Sequence, residues 1–108
     1  MKKVYIQLST HWDREWYNPF QAFRYELIGV TDKIISEVKS KQNIENFVFD
    51  GQTIVTEDYL DIVSENRCEL ATQIENGSIK IGPWYVMPDE WLVSGESLIR
   101  NFQQGKRI

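Results

Sequence analysis

The stretch Val4-Tyr5-Ile6-Gln7-Leu8-Ser9-Thr10-His11-Trp12-Asp13 decides the reading of the fold. Its first half alternates apolar and polar residues, which is the signature of a strand. Its second half turns abruptly polar and aromatic, and continues as Arg14-Glu15-Trp16-Tyr17. We read a strand over residues 3–9, with Val4, Ile6 and Leu8 on one face, running into a loop at 10–18. Asn18-Pro19 then signals helix entry, with Asn as N-cap and Pro in the first turn. Phe20, Phe23, Leu27, Val30, Ile34 and Val38 recur at three- and four-residue steps, so one apolar helix stripe runs to about Lys41.

The alternation repeats downstream. Phe47-Val48-Phe49 reads as a second strand and Asp50-Gly51 as a turn. Thr56, with Glu57 and Asp58 behind it, opens a helical segment that breaks near Ser64. Asn76-Gly77 stops it. Ile79, Ile81 and Trp84-Tyr85-Val86 suggest a third strand, interrupted at Gly82-Pro83. A loop covers 88–94. Ser94 caps a last helix with Leu98, Ile99 and Phe102 inward, and Gly105 reads as its C-cap. The order β-α-β-α-β-α favours an α/β fold with a mostly parallel sheet and helices packed on it. Three strands leave two sheet edges, both unusually apolar. That implies either further strands or covering partners.

Composition narrows the function classes. The chain has 108 residues, with 12 Lys+Arg against 16 Asp+Glu. A net charge of −4 without a basic tract excludes binding driven by phosphate neutralisation, so no nucleic acid is expected. The one Cys, Cys68, forms no internal disulfide and is expected to pack in its helix. The apolar start is too short for a signal peptide or a membrane span, which makes a cytoplasmic location the default. The aromatic content is concentrated oddly. Of four Trp residues, Trp12, Trp16 and Trp91 lie within two positions of an Asp or Glu.

Ligands of parallel α/β folds bind at the C-terminal ends of the strands. All three strand exits here carry carboxylates, and two carry Trp. His11 and Asp13 stand two apart, so in extended backbone both side chains point the same way. Together they suit two ligands of a divalent metal, most naturally zinc. The plainer alternative is a His tethered by a neighbouring acid. No other His exists in the chain, so a third ligand is an acid of this chain or lies outside it. Trp16 is either a stacking face for a sugar ring or a loop Trp wedged into the core. Trp12 is expected to point the opposite way and pack. Asp89 and Glu90 suit acid/base work or hydroxyl binding, or else simple capping and solubility. Asp50 has the same two readings, because Asp-Gly is a common turn.

The blocks from His11 to Tyr17, Phe49 to Thr53, Ile81 to Glu90 and Leu92 to Leu98 resemble glycoside hydrolase family 38, the α-mannosidases. The bacterial, mannosylglycerate hydrolase-like branch is most similar. The resemblance implies the N-terminal segment, residues 1–108, of the α/β barrel domain of a larger retaining α-mannosidase with one catalytic zinc. It implies that His11 and Asp13 are zinc ligands and that Trp16 stacks on mannose. It places the nucleophile, the general acid and the remaining ligands beyond Ile108, so the 108 residues alone are expected to be inactive. Asp50, Asp89 and Glu90 then become substrate-side or supporting residues. The expected partner is a mannoside, with a homo-oligomer open for the full-length protein and no membrane. Two other readings are a metal-dependent deacetylase-like hydrolase, which leaves the Gly82-Pro83-Trp84 block unexplained, and a non-catalytic sugar-binding module.

Overall fold

A computed structural model describes residues 1–108. Strand β1 (Leu8–Thr10) leads into helix α1 (Phe20–Ser40), then β2 (Phe47–Phe49) and α2 (Ile54–Leu60). A 3₁₀ turn at Ser64–Asn66 precedes α3 (Arg67–Glu75), followed by β3 (Ile79–Lys80) and α4 (Gly95–Gly105). The three strands form one parallel sheet in the order β1-β2-β3. Leu8 pairs with Phe47 and Thr10 with Phe49; Phe47 in turn pairs with Ile79. All strands therefore end on the same side, and the α/β reading holds.

The core lies between the sheet and α1, α2 and α3. Leu27, Ile34, Ile35 and Val38 of α1 meet Phe47 and Phe49 of β2. Val55, Tyr59, Leu70 and Ile79 complete the cluster. α1 supplies this face because its apolar residues recur on one stripe, and Lys41 ends it in the left-handed region (φ 53°). Tyr59 is fully enclosed, and its hydroxyl donates to Asp32 Oδ1 at 2.6 Å. Burial pushes that phenol up to about 12.

Several local expectations are corrected. Residues 1–7 form no strand, and Val4 and Ile6 are exposed. The ladder is as long as its partner, and β2 begins only at Phe47, opposite Leu8. Asn18 is not the cap of α1; Pro19 holds that position without a side-chain cap. α2 begins at Ile54 rather than Thr56. Its leading N–H groups are satisfied from across the fold: Thr53 N donates to Trp84 O at 2.8 Å and Ile54 N to Tyr85 O at 2.9 Å. The same bonds divert residues 84–86 from a third strand, leaving only a bridge between Gln52 and Trp84. Gly82, at φ 62°, turns the chain there.

Ser94 does cap α4, accepting from Ser97 N at 3.2 Å. Yet the apolar face of α4 is only partly covered. Ile99 is exposed, and Leu98 and Phe102 are half-buried. Phe102 meets Trp84 edge-on with ring centroids 5.3 Å apart. Gly105 lies inside α4 rather than capping it, because the helix backbone approaches residues 83–85 there. A Cβ on Gly105 would sit 2.3 Å from the Pro83 carbonyl oxygen. Cys68 is exposed instead of packed.

Candidate functional site

The C-terminal ends of the three strands open onto a cleft of about 740 Å³. His11, Asp13, Asp50 and Gln52 line one wall, and the loop carrying Asp89 and Glu90 lines the other. Parallel register is what brings them together, since all three exits leave the sheet on the same side.

His11 is the exposed centre of this arrangement. Its Nε2 lies 3.7 Å from Asp13 Oδ1, and its Nδ1 lies 3.0 Å from Asp50 Oδ2. The two-residue spacing does aim His11 and Asp13 at a common point. The fit to a metal can be tested on this geometry. A carboxylate oxygen 3.0 Å from Nδ1 favours the tautomer with the ring proton on that nitrogen. In the neutral ring the Nε2 lone pair is then directed at the side of Asp13. Zinc–nitrogen and zinc–oxygen distances of about 2.0–2.2 Å span two such atoms comfortably. The pair therefore fits a cation, with a carboxylate behind the imidazole as metal-binding histidines usually have. Zinc takes four ligands, and the chain gathers no group of three or more His, Cys, Asp or Glu side chains able to hold a metal. His11 and Asp13 would supply half of such a site.

Trp16 lies beside this pair. A recess of about 370 Å³ is lined by His11, Asp13, Glu15 and Trp16. The indole is 75% exposed, so it is not wedged into the core. It rests against Tyr17 at 5.8 Å, and Tyr17 rests against Phe23 at 5.1 Å. Trp12 packs against the core, meeting Phe23 edge-on at 6.2 Å, while also bordering the cleft. Asp89 has a local task as well: its Oδ1 accepts from Trp91 N at 3.2 Å, closing the turn. Glu90 is exposed at the cleft margin. Trp84 and Tyr85 both lie away from the cleft lining; Tyr85 donates to Glu57 Oε2 at 2.7 Å, which raises its pKa.

Three supporting residues escaped sequence reasoning. Arg14 bonds Asp58 in a two-pronged pair, Nε to Oδ2 at 2.6 Å and Nη2 to Oδ1 at 2.8 Å. This ties the loop after β1 to α2, and the bond to Asp58 raises the Arg14 pKa. Asp58 is buried, unlike an ordinary acid at a helix start. Gln52 is buried as well and reaches Trp12, Asp50 and Met87. The only available signal was the density of polar residues at the strand exits.

Comparison with known proteins matches the whole of residues 1–108 to the glycosyl hydrolases family 38 N-terminal domain. A protein of Halalkalibacterium halodurans, named "Putative mannosylglycerate hydrolase", is 42% identical over 104 residues, or 96% of the chain. An alpha-mannosidase from Enterococcus faecalis V583 has a crystal structure that superposes with a TM-score of 0.92 over 97% of the chain, at 38% identity. A second crystal structure, of a glycosyl hydrolase family 38 protein from Enterococcus faecalis, gives a TM-score of 0.85 over 96% of the chain at 35% identity. The chain spans 12% of the length of each of these relatives.

Proposed function

The chain belongs to glycosyl hydrolase family 38, and from that membership we propose that it forms the part of a zinc-dependent, retaining α-mannosidase that carries half of the metal site and one wall of the mannose site. Membership in a glycosidase family sets aside the deacetylase-like alternative. The observation that carries the reading is the convergence of His11 Nε2 and Asp13 Oδ1, 3.7 Å apart, beside the exposed face of Trp16.

Each residue has a part in this reading. His11 offers a lone pair at Nε2, and Asp13 offers a carboxylate of opposite charge to the cation. When bound, zinc would take up sugar hydroxyls and help hold the ring in a shape nearer the oxocarbenium-like transition state. Trp16 offers an indole face to the C–H side of mannose, fixing the ring relative to His11 and Asp13. Asp89 and Glu90 accept hydrogen bonds from hydroxyls across the cleft. The nucleophile and the general acid come from other parts of the protein, so residues 1–108 alone turn over no substrate. The substrate is a terminal α-mannoside, and the setting is cytoplasmic. No helix is long and apolar enough to cross a membrane.

The test is hydrolysis of p-nitrophenyl α-mannoside by the full-length protein and by its Asp13→Ala variant. Asp13→Ala is expected to lose at least a hundredfold in kcat/KM, as removal of a metal ligand should. Activity within twofold of the parent protein would remove Asp13 from the site.

A further inference from the structure

One buried side chain ties all three strand exits together, and the functional reading so far leaves it without a role. Gln52 is 4% exposed. Its amide nitrogen donates to the Trp12 carbonyl at 2.8 Å, after β1, and to Asp50 Oδ2 at 3.3 Å, after β2. Its Oε1 accepts from Met87 N at 3.3 Å, on the loop that follows β3. A side-chain amide offers two donors and two acceptor lone pairs, so this residue can bond three segments at once.

Asp50 is the next link. Its Oδ2 accepts from Trp12 N at 3.0 Å and from Gln52, and lies 3.0 Å from His11 Nδ1. That oxygen accepts two hydrogen bonds and has the imidazole in close contact. The side chain is 12% exposed, against 41% for Asp13. Asp50 also holds a left-handed backbone (φ 36°), and Gly51 follows at 68°. Aspartate followed by glycine adopts this conformation readily in a tight turn. This turn leaves the carboxylate at the wall of the cleft, 3.0 Å from the imidazole.

We propose that Asp50 and Gln52 are positioning residues for His11. Asp50 fixes the tautomer that leaves Nε2 free and sets the aim of the ring. Gln52 fixes Asp50 and locks the Met87 side of the cleft to the same point. The inference rests on the zinc reading above and deepens it: Asp50 leaves the set of sugar-contacting residues and becomes the group that makes His11 a ligand. A brace that merely closed the Asp50-Gly51 turn would affect folding without affecting metal affinity.

The experiment measures zinc affinity of the full-length, metal-stripped protein by competition with a chromophoric chelator. Wild type, His11→Ala, Asp50→Asn and Gln52→Glu are compared, each with a melting curve of the metal-free form. Asp50→Asn keeps an oxygen for Trp12 N but loses the charge behind His11. It is expected to bind zinc about 10–100-fold more weakly while melting within a few degrees of wild type. Gln52→Glu replaces the donor facing Asp50 by an acceptor and is expected to weaken zinc by about tenfold or more. Should Asp50→Asn unfold before loading, Gln52→Glu decides by the same criterion. Wild-type affinity in the deciding variant, with binding lost in His11→Ala, overturns the inference and leaves the zinc reading intact. Absence of zinc binding in wild type, or undiminished binding in His11→Ala, overturns both.

Discussion

Trp16 and Arg14 show how neighbouring residues of one loop take opposite tasks. Trp16 turns its indole outward beside His11 and Asp13, whereas Arg14 turns inward to Asp58. Trp16→Ala should raise KM for an α-mannoside about tenfold, ~1.4 kcal/mol of binding, with a smaller change in kcat. Steady-state kinetics on the full-length protein read this split. Arg14→Met strands the Asp58 carboxylate, whose side chain is 6% exposed. Breaking a fully buried pair costs about 3–5 kcal/mol. Arg14 is 39% exposed and its charge is partly screened, so about 1–3 kcal/mol is expected here. A lowered melting temperature, partly restored in Arg14→Met with Asp58→Asn, checks it. The His11–Asp13 pair was legible in the sequence because two-residue spacing in extended chain is a local rule. The partners of Gln52 and Asp58 were not: Trp12 lies 40 positions from Gln52, and Arg14 lies 44 from Asp58. No local pattern encodes such distances.

Helix α4 and the segment before it carry the main lesson among the elements. Ser94 was readable as a cap because a single hydroxyl bonding Ser97 N is a short-range event. The role of Gly105 was not. A glycine near a helix end usually stops the helix, but here it lets the helix backbone touch residues 83–85. Asn101 secures the same contact, accepting from Tyr85 N at 3.0 Å and Val86 N at 2.9 Å. Gly105→Ala should therefore destabilise the fold by about 1–3 kcal/mol through overpacking against backbone that cannot yield. A thermal melt reads it, and an unchanged midpoint would mean that α4 can slide off residues 83–85. The strand lengths follow the same logic. β1 is limited by the three residues of β2, not by its own apolar run, and β3 stops a residue short of the end of β2.

Across the whole molecule, apolar surface is left open in a pattern. Val4, Tyr5 and Ile6 are more than 80% exposed, as are Trp91 and Leu92. Only 19 of 108 residues are buried, and the radius of gyration is 14.8 Å. A compact chain of this length would have about 13 Å. Large exposed apolar side chains of this kind are surface that a contact could cover. The cleft, by contrast, is held by bonds internal to these residues, from Asp50 and Gln52 to Trp12 and Met87. As proposed above, α-mannoside hydrolysis by the full-length protein depends on a cation shared by His11 and Asp13. The most direct test of this claim is the rate of p-nitrophenyl α-mannoside hydrolysis by the full-length protein, stripped with a chelator and then titrated with zinc. The rate should fall to background on stripping and return at one zinc per protein; an undiminished rate in the stripped protein would contradict the claim.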